Sequence, residues 1–221
     1  MQIEISKSPD LEQLTLGAVE LQIPSVDQAD AALRAWSDGI AQQRAANSDE
    51  QEPLRQKVRQ MLRHGHFKAS GRSKPAQEYL LRCATENATL PCINAPVDIL
   101  NTVSLDCGFP ISLLSISKCS GQLHIRRGLA GETYVFNTVG QELDLSDLVV
   151  VCDASVQPSR PVGSPIKDSM AGKIEPTDKH LIAIVYAPAG FESALSGACT
   201  SLIENYQRFI NGTVARRLEV R

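Results

Sequence analysis

Seven cations, Arg55, Lys57, Arg59, Arg63, Lys68, Arg72 and Lys74, fall between residues 53 and 77, a segment without a single Asp or Glu. The whole chain carries 22 Lys and Arg against 25 Asp and Glu, a net charge of −3, so this stretch runs against the sign of the rest. Positive charge gathered in this way is the electrostatic footprint of a surface that takes phosphate groups. Inside it, Gly65-His-Phe-Lys-Ala-Ser-Gly-Arg-Ser73 has the look of a nucleotide loop. The Walker pattern, however, sets four residues between its glycines and then Lys, where this chain has five and then Arg72. A nucleotide hydrolase of that type is excluded. A glycine-bearing basic loop still binds anions through donors, and Lys68, Ser70, Arg72 and Lys74 are the donors here. The competing reading is a solvated Arg face followed by a plain turn.

Two further groups of polar residues have useful spacing. Asp98, Asn101 and Ser104 recur at three-residue steps, which lines them along one side of a helix where they can bound a pocket or simply face solvent. Lys167, Asp168 and Ser169 close a proline-rich stretch, with Lys173 four residues beyond. The Ser169–Lys173 spacing is not the Ser-x-x-Lys of acyl enzymes, so Asp168 and Ser169 are read as hydrogen-bonding groups that line a pocket, not as nucleophiles. His64 and His66 have no acidic or thiol partner nearby, and His124 and His180 stand alone. No two of the six cysteines have Cys-x-x-Cys spacing, so no metal or cofactor is expected and the thiols are read as reduced and mostly buried.

The elements that must position these groups follow from periodicity and caps. Val19, Leu21 and Ile23 alternate with Glu20 and Gln22 as in a half-buried strand. Residues 26–46 suit a helix capped by Ser25, with Leu33, Trp36 and Ile40 on one stripe. Pro53 opens a second helix, in which Leu54, Val58, Met61 and Leu62 share one face while Arg55, Arg59 and Arg63 form another stripe. Further helices are expected from Ser73 and Pro75 to before Pro91, from an Asn94 cap to Gly108, and over residues 191–211. Strands are expected at 123–126, 133–136, 148–151 and 181–187, and residues 157–168, with three prolines, as a loop. Mixed helices and antiparallel-looking strands make this an α+β chain, read as one domain over residues 1–221 with a strand-helix extension at 1–52. No apolar run nears the ~20 residues of a membrane span, and the first residues have no signal-peptide character, so the expected location is cytoplasmic.

Ile93-Asn-Ala-Pro-Val-Asp-Ile-Leu-Asn101, then Gly108-Phe-Pro110, then Gly131-Glu-Thr-Tyr-Val-Phe136 together resemble the B3/B4 domain of the phenylalanyl-tRNA synthetase β subunit. There a Pro-Val-Asp-x-x-Asn helix, a Gly-x-Pro turn and a Gly-Glu-x strand entry follow in this order. The resemblance covers about residues 55–190. With Gly-Arg-Ser-Lys-Pro75 upstream and Pro161-Val-Gly-Ser-Pro-Ile-Lys-Asp-Ser169 downstream, the chain looks more like the free-standing proteins that carry this domain without any synthetase. The resemblance implies a three-layer α+β B3/B4 domain with a β-sandwich of unusual topology and flanking helices, and an association with tRNA. In the synthetase this domain hydrolyses the ester of wrongly charged tyrosyl-tRNA, the second sieve that removes what an apolar first site cannot reject. Its editing pocket has a His shortly after the Gly-x-Pro turn, where this chain has Ser112, and a Glu on a late strand, where 181–187 contains no acid. Asp98, Asn101 and Pro110 do match.

Two functions are therefore expected to compete. One is a trans-acting aminoacyl-tRNA deacylase whose basic strip (Arg55, Arg59, Arg63, Lys68, Ser70, Arg72, Lys74) grips the aminoacylated 3′ end. Its amino-acid pocket is bounded by Asp98, Asn101, Ser104, Ser112, Lys167, Asp168 and Ser169. The other is a module that binds tRNA or an amino acid without turnover. No residue identifies itself as the general base.

Overall fold

A computed structural model describes residues 3–221. Two four-stranded sheets form the interior. The first joins β1 (Glu4–Lys7), β4 (Gln122–Arg127), β7 (Val149–Asp153) and β8 (Arg160–Gly163) in the order β1-β4-β7-β8, with β1 and β4 parallel and the other pairs antiparallel. The second is antiparallel throughout, in the order β10-β2-β9-β3, from β2 (Leu14–Gln22), β3 (Ile111–Ser115), β9 (His180–Pro188) and β10 (Val214–Leu218). A hairpin of β5 (Thr133–Val135) and β6 (Glu142–Asp144) stands apart from both.

Cross-strand partners share a face, so the register fixes which side chains meet. Ser112, Leu114, Ile182, Ile184 and Tyr186 lie on one side of the second sheet. Leu114 from that side packs against Gly163 and Gly172, joining the sheets into a sandwich. The opposite side, which includes Gly17, Val19 and Leu21, is covered by helix α5 (Glu192–Phe209), whose Leu195 and Cys199 lie against Gly17. Helices α1 (Ala31–Ala46), α2 (Glu52–Leu62), α3 (Ala76–Asn87) and α4 (Ala95–Cys107) complete the helical layer, α1 packing on α3 and α4 while α4 and α2 reach the second sheet. The architecture is thus the expected three-layer α+β arrangement with a β-sandwich at its centre.

Most helix limits follow the sequence signals. Asn94 caps α4 by accepting the Val97 N–H at 3.0 Å, Pro96 sits in the first turn, and Gly108 ends the helix at φ +75°. Three departures have plain causes. Helix α1 begins five residues later than expected because Asp30, not Ser25, caps it, its carboxylate accepting the Leu33 N–H at 2.8 Å. The proline-rich stretch contains β8, since Pro161 sits on the outermost strand of its sheet, where a missing N–H costs no ladder bond. Glu20, expected to face water, is 1% exposed, because β2 lies between two strands of a sheet covered on both sides. Its carboxylate is held by His180 at 2.7 Å and by Arg216. Burial raises the Glu20 pKa, but the Arg216 and His180 contacts outweigh it and leave the carboxyl below its usual value. Among the described residues no helix is long and apolar enough to cross a membrane.

Candidate functional site

The basic strip is only partly free charge. Arg55, 14% exposed, pairs with Glu52 three residues back and donates to the Ser48 carbonyl at 3.0 Å. Arg59 holds Glu78 of α3 through two parallel contacts, its Nε donating to Oε1 at 2.6 Å. The acids that neutralise these two Arg lie immediately outside the stretch that is free of acids in sequence. Arg63, Lys68, Arg72 and Lys74 have no carboxylate partner among the described residues. Arg63 and Lys68, with Gln56, Arg59, Gln60 and Ser70, border a surface depression of about 470 Å³. Arg63, Lys68 and Ser70 are exposed, so their donors are available to a ligand.

The strip is tied directly to the later pocket residues. At the entry to α3 the Ala76 N–H donates to the Pro165 carbonyl at 2.9 Å, clamping the loop that carries Lys167, Asp168 and Ser169. That loop is fastened on its other side as the Met170 N–H donates to the Val135 carbonyl at 2.8 Å. Between these clamps, consecutive residues do opposite things. Asp168 turns inward, one carboxylate oxygen accepting the Leu113 N–H at 3.0 Å and the other the Ser164 N–H at 3.2 Å. A Cβ at Gly163 would stand 2.7 Å from that second oxygen, so this approach needs a residue without a side chain. Burial raises the Asp168 pKa to about 6 despite the opposing bonds from Ser112, Leu113 and Ser164. Lys167 turns outward, with Nζ 4.0 Å from the centre of the Phe136 ring. Its carbonyl accepts the Ser164 hydroxyl at 2.9 Å and the Tyr134 hydroxyl, which fixes its backbone.

Ser112 belongs to the same cluster. Its hydroxyl bonds to Tyr186 Oη at 2.9 Å and to the Ser164 carbonyl at 3.2 Å, and all three residues are buried. Ser169 is also buried, its Oγ accepting the Ala171 N–H at 3.1 Å. The structure therefore brings Ser112, Lys167, Asp168 and Ser169 together around residues 162–172. Tyr79, Tyr134, Phe136, Ser164 and Tyr186 complete the group. That these five meet is not legible in sequence, because contacts such as Ser112 with Tyr186 and Lys167 with Tyr79 join distant strands, loops and helix α3.

Asp98, Asn101 and Ser104 are placed elsewhere, on α4 inside the helical layer. Asp98 is 3% exposed and accepts the Ile93 N–H at 2.9 Å, with Arg34 at 3.8 Å, and burial raises its pKa. Ser104 donates to the Phe109 carbonyl at 2.6 Å, closing the turn after α4. Neither makes a hydrogen bond to the cluster around Asp168. Both ring nitrogens of His124 are taken by Ser6 and Ser8, at 2.8 and 2.9 Å. Cys119, Cys152 and Cys199 are buried, whereas Cys92 is exposed and Cys83 and Cys107 are half-buried. Burial pushes the Cys107 and Cys119 thiols up to about 12, where they are poor nucleophiles. Among the described residues no three His, Cys, Asp or Glu side chains are grouped to hold a metal ion.

Known proteins resemble this chain in sequence and in fold. The family model described as the B3/4 domain matches residues 66–187. The phenylalanine–tRNA ligase beta subunit of Thiobacillus denitrificans (strain ATCC 25259 / T1) is 40% identical over 62 residues, which are 28% of this chain and 8% of that subunit. A solved N-terminal fragment of the phenylalanyl-tRNA synthetase beta subunit from Pyrococcus horikoshii aligns over 100% of this chain and 54% of its own length. Its TM-score is 0.54 at 9% identity, a likeness of fold. The chain thus spans less than two thirds of either relative.

Proposed function

Because the chain belongs to the B3/4 domain family, we propose that it is a tRNA-binding domain that hydrolyses the ester of mischarged aminoacyl-tRNA in trans. The observation that carries this reading is the cationic depression beside Arg63 and Lys68, whose exposed charges have no carboxylate partner among the described residues. Phosphates of an RNA backbone are the ligand that such charges recognise. The likeness to tRNA ligase subunits supports tRNA as the RNA. The aminoacyl group would then lie toward the loop of Lys167, Asp168 and Ser169, which a backbone bond joins to the end of the strip. We read residues 1–221 as one unit for this purpose, since β2 and β10 flank β9 or each other in a single sheet.

An aminoacyl ester is already activated, so a water held against it by fixed donors is enough for hydrolysis. In this chain the donors come from hydroxyls and from Lys167, since neither the His nor the Glu of the synthetase pocket is present. A second reading, tRNA binding without turnover, is favoured by the way Asp168 and Ser112 are already satisfied by protein partners. Purified protein incubated with a panel of mischarged tRNAs separates the two. Release of free amino acid above the spontaneous rate supports the deacylase. A retained or lengthened ester lifetime with tRNA bound supports the binder, and absence of tRNA binding defeats both.

A further inference from the structure

Where the strip reaches the later loop, Lys167 meets two aromatic rings with no acid paired to it among the described residues. Lys167 Nζ stands 4.0 Å from the centre of the Phe136 ring and 6.0 Å from that of Tyr79. Among the described residues no carboxylate or carbonyl lies within hydrogen-bonding distance of this ammonium. The Tyr79 hydroxyl donates to the backbone carbonyl of Arg72 at 2.7 Å, which ties the Arg72 backbone to the same ring. Arg82, the other cation near Tyr79 at 5.8 Å, already has Glu86 at 3.8 Å. Two neighbouring like charges without a counter-ion repel one another, and one anion between them converts the repulsion to attraction. Burial, and after it the charge of Arg72, lower the Lys167 pKa. Tyr79 and Phe136 are half-buried, leaving part of each ring at the surface, where a planar base can stack.

We propose that Lys167, Arg72, Tyr79 and Phe136 form a nucleotide clamp, in which the two cations hold a phosphate and the rings take the attached base. Asp168 is its positioning residue, since the carboxylate that binds Leu113 and Ser164 fixes the peptide from which Lys167 projects. The clamp deepens the RNA-binding reading and does not depend on ester hydrolysis. Its ligand chemistry is a nucleoside monophosphate, present either at the end of an RNA strand or as a free nucleotide.

Calorimetric titration of the full chain with AMP, adenosine, inorganic phosphate and a short single-stranded RNA ending in adenosine tests the assignment. AMP is expected to bind about 10-fold or more tightly than adenosine or phosphate, because only AMP engages both halves. Lys167→Gln and Phe136→Leu should each weaken AMP by roughly 5- to 100-fold, the range that loss of one stacked base covers. Lys167→Arg, which keeps charge and ring contact, should bind within about 3-fold of wild type. An oligonucleotide that binds more tightly than AMP identifies the RNA strand as the source, and equal affinities identify free nucleotide. Equal AMP affinity in wild type, Lys167→Gln and Phe136→Leu, or no binding of AMP or RNA, overturns the clamp. Should Phe136→Leu fail to fold, the Gln and Arg replacements of Lys167 decide the matter. tRNA binding by the wild-type chain without AMP binding overturns the clamp alone, whereas absence of both defeats the wider tRNA reading as well.

Discussion

Arg59 on α2 and Arg63, the extended residue that follows its last turn, carry the same charge, yet they do different things. Arg59 neutralises Glu78, whose side chain is 6% exposed, so Arg59→Ala strands a carboxylate away from water. With Arg59 itself 37% exposed the loss should be smaller than for a fully buried pair, about 1–3 kcal/mol in urea unfolding. Arg63→Ala should leave the unfolding midpoint unchanged and weaken RNA binding, which makes Arg63 the informative variant. The sequence made both cations visible but not their partners, because Glu78 comes from the next helix. Asp168 adds a pH dependence whose sign is set by its pKa of about 6 in the folded chain. The unfolded chain releases this proton near pH 4, so stability is greatest below that value and declines as pH rises through 6. Asp168→Asn should abolish this part of the slope. It should also lower stability throughout, by about 1–2 kcal/mol, since an amide cannot accept from both the Leu113 and Ser164 N–H groups. Urea midpoints of both proteins at pH 4.5, 5.5 and 7 measure the two effects.

At the scale of elements, α2, α3 and α4 were legible because local signals fix them: a proline in the first turn, an Asn cap, a glycine at the end, an apolar stripe. Helix α1 shows the limit, since two residues, Ser25 and Asp30, were both competent caps and only the fold chooses. The short strands β1, β6 and β10 have no pattern of their own and exist because a neighbour supplies hydrogen bonds. β8 was hidden by prolines that an outermost strand tolerates. The contact between α5 and the second sheet gives a direct test. A Cβ at Gly17 would lie 2.5 Å from Cys199 Sγ and 3.0 Å from Leu195 Cδ1, so Gly17→Ala must push the helix off the sheet. A loss of about 1–3 kcal/mol is expected, read as a lowered thermal midpoint. Gly17→Ala with Cys199→Ala should recover part of it.

For the molecule as a whole, the three layers were legible only through resemblance, because both sheets are assembled from strands far apart in the chain, as in the pairing of Glu20 with Ile182. The candidate site divided in the same way. Its cations were legible as a run, whereas the rings and hydroxyls that complete it come from Tyr79, Tyr134, Phe136 and Tyr186 on separate elements. If the exposed cations meet an RNA backbone, affinity must fall as salt rises, and replacing Arg63 and Lys68 together by Gln should flatten the log–log slope by about 1–2 units. Filter binding of tRNA across a salt series reads that slope, and an unchanged value would take the depression out of the interface. The close approach of Gly163 to Asp168 reaches beyond this one chain. The two positions behave as a single inherited character: among relatives that share the fold, a side chain at the first should exclude an acid at the second. An alignment deep enough to count such pairs would reveal them as covarying neighbours.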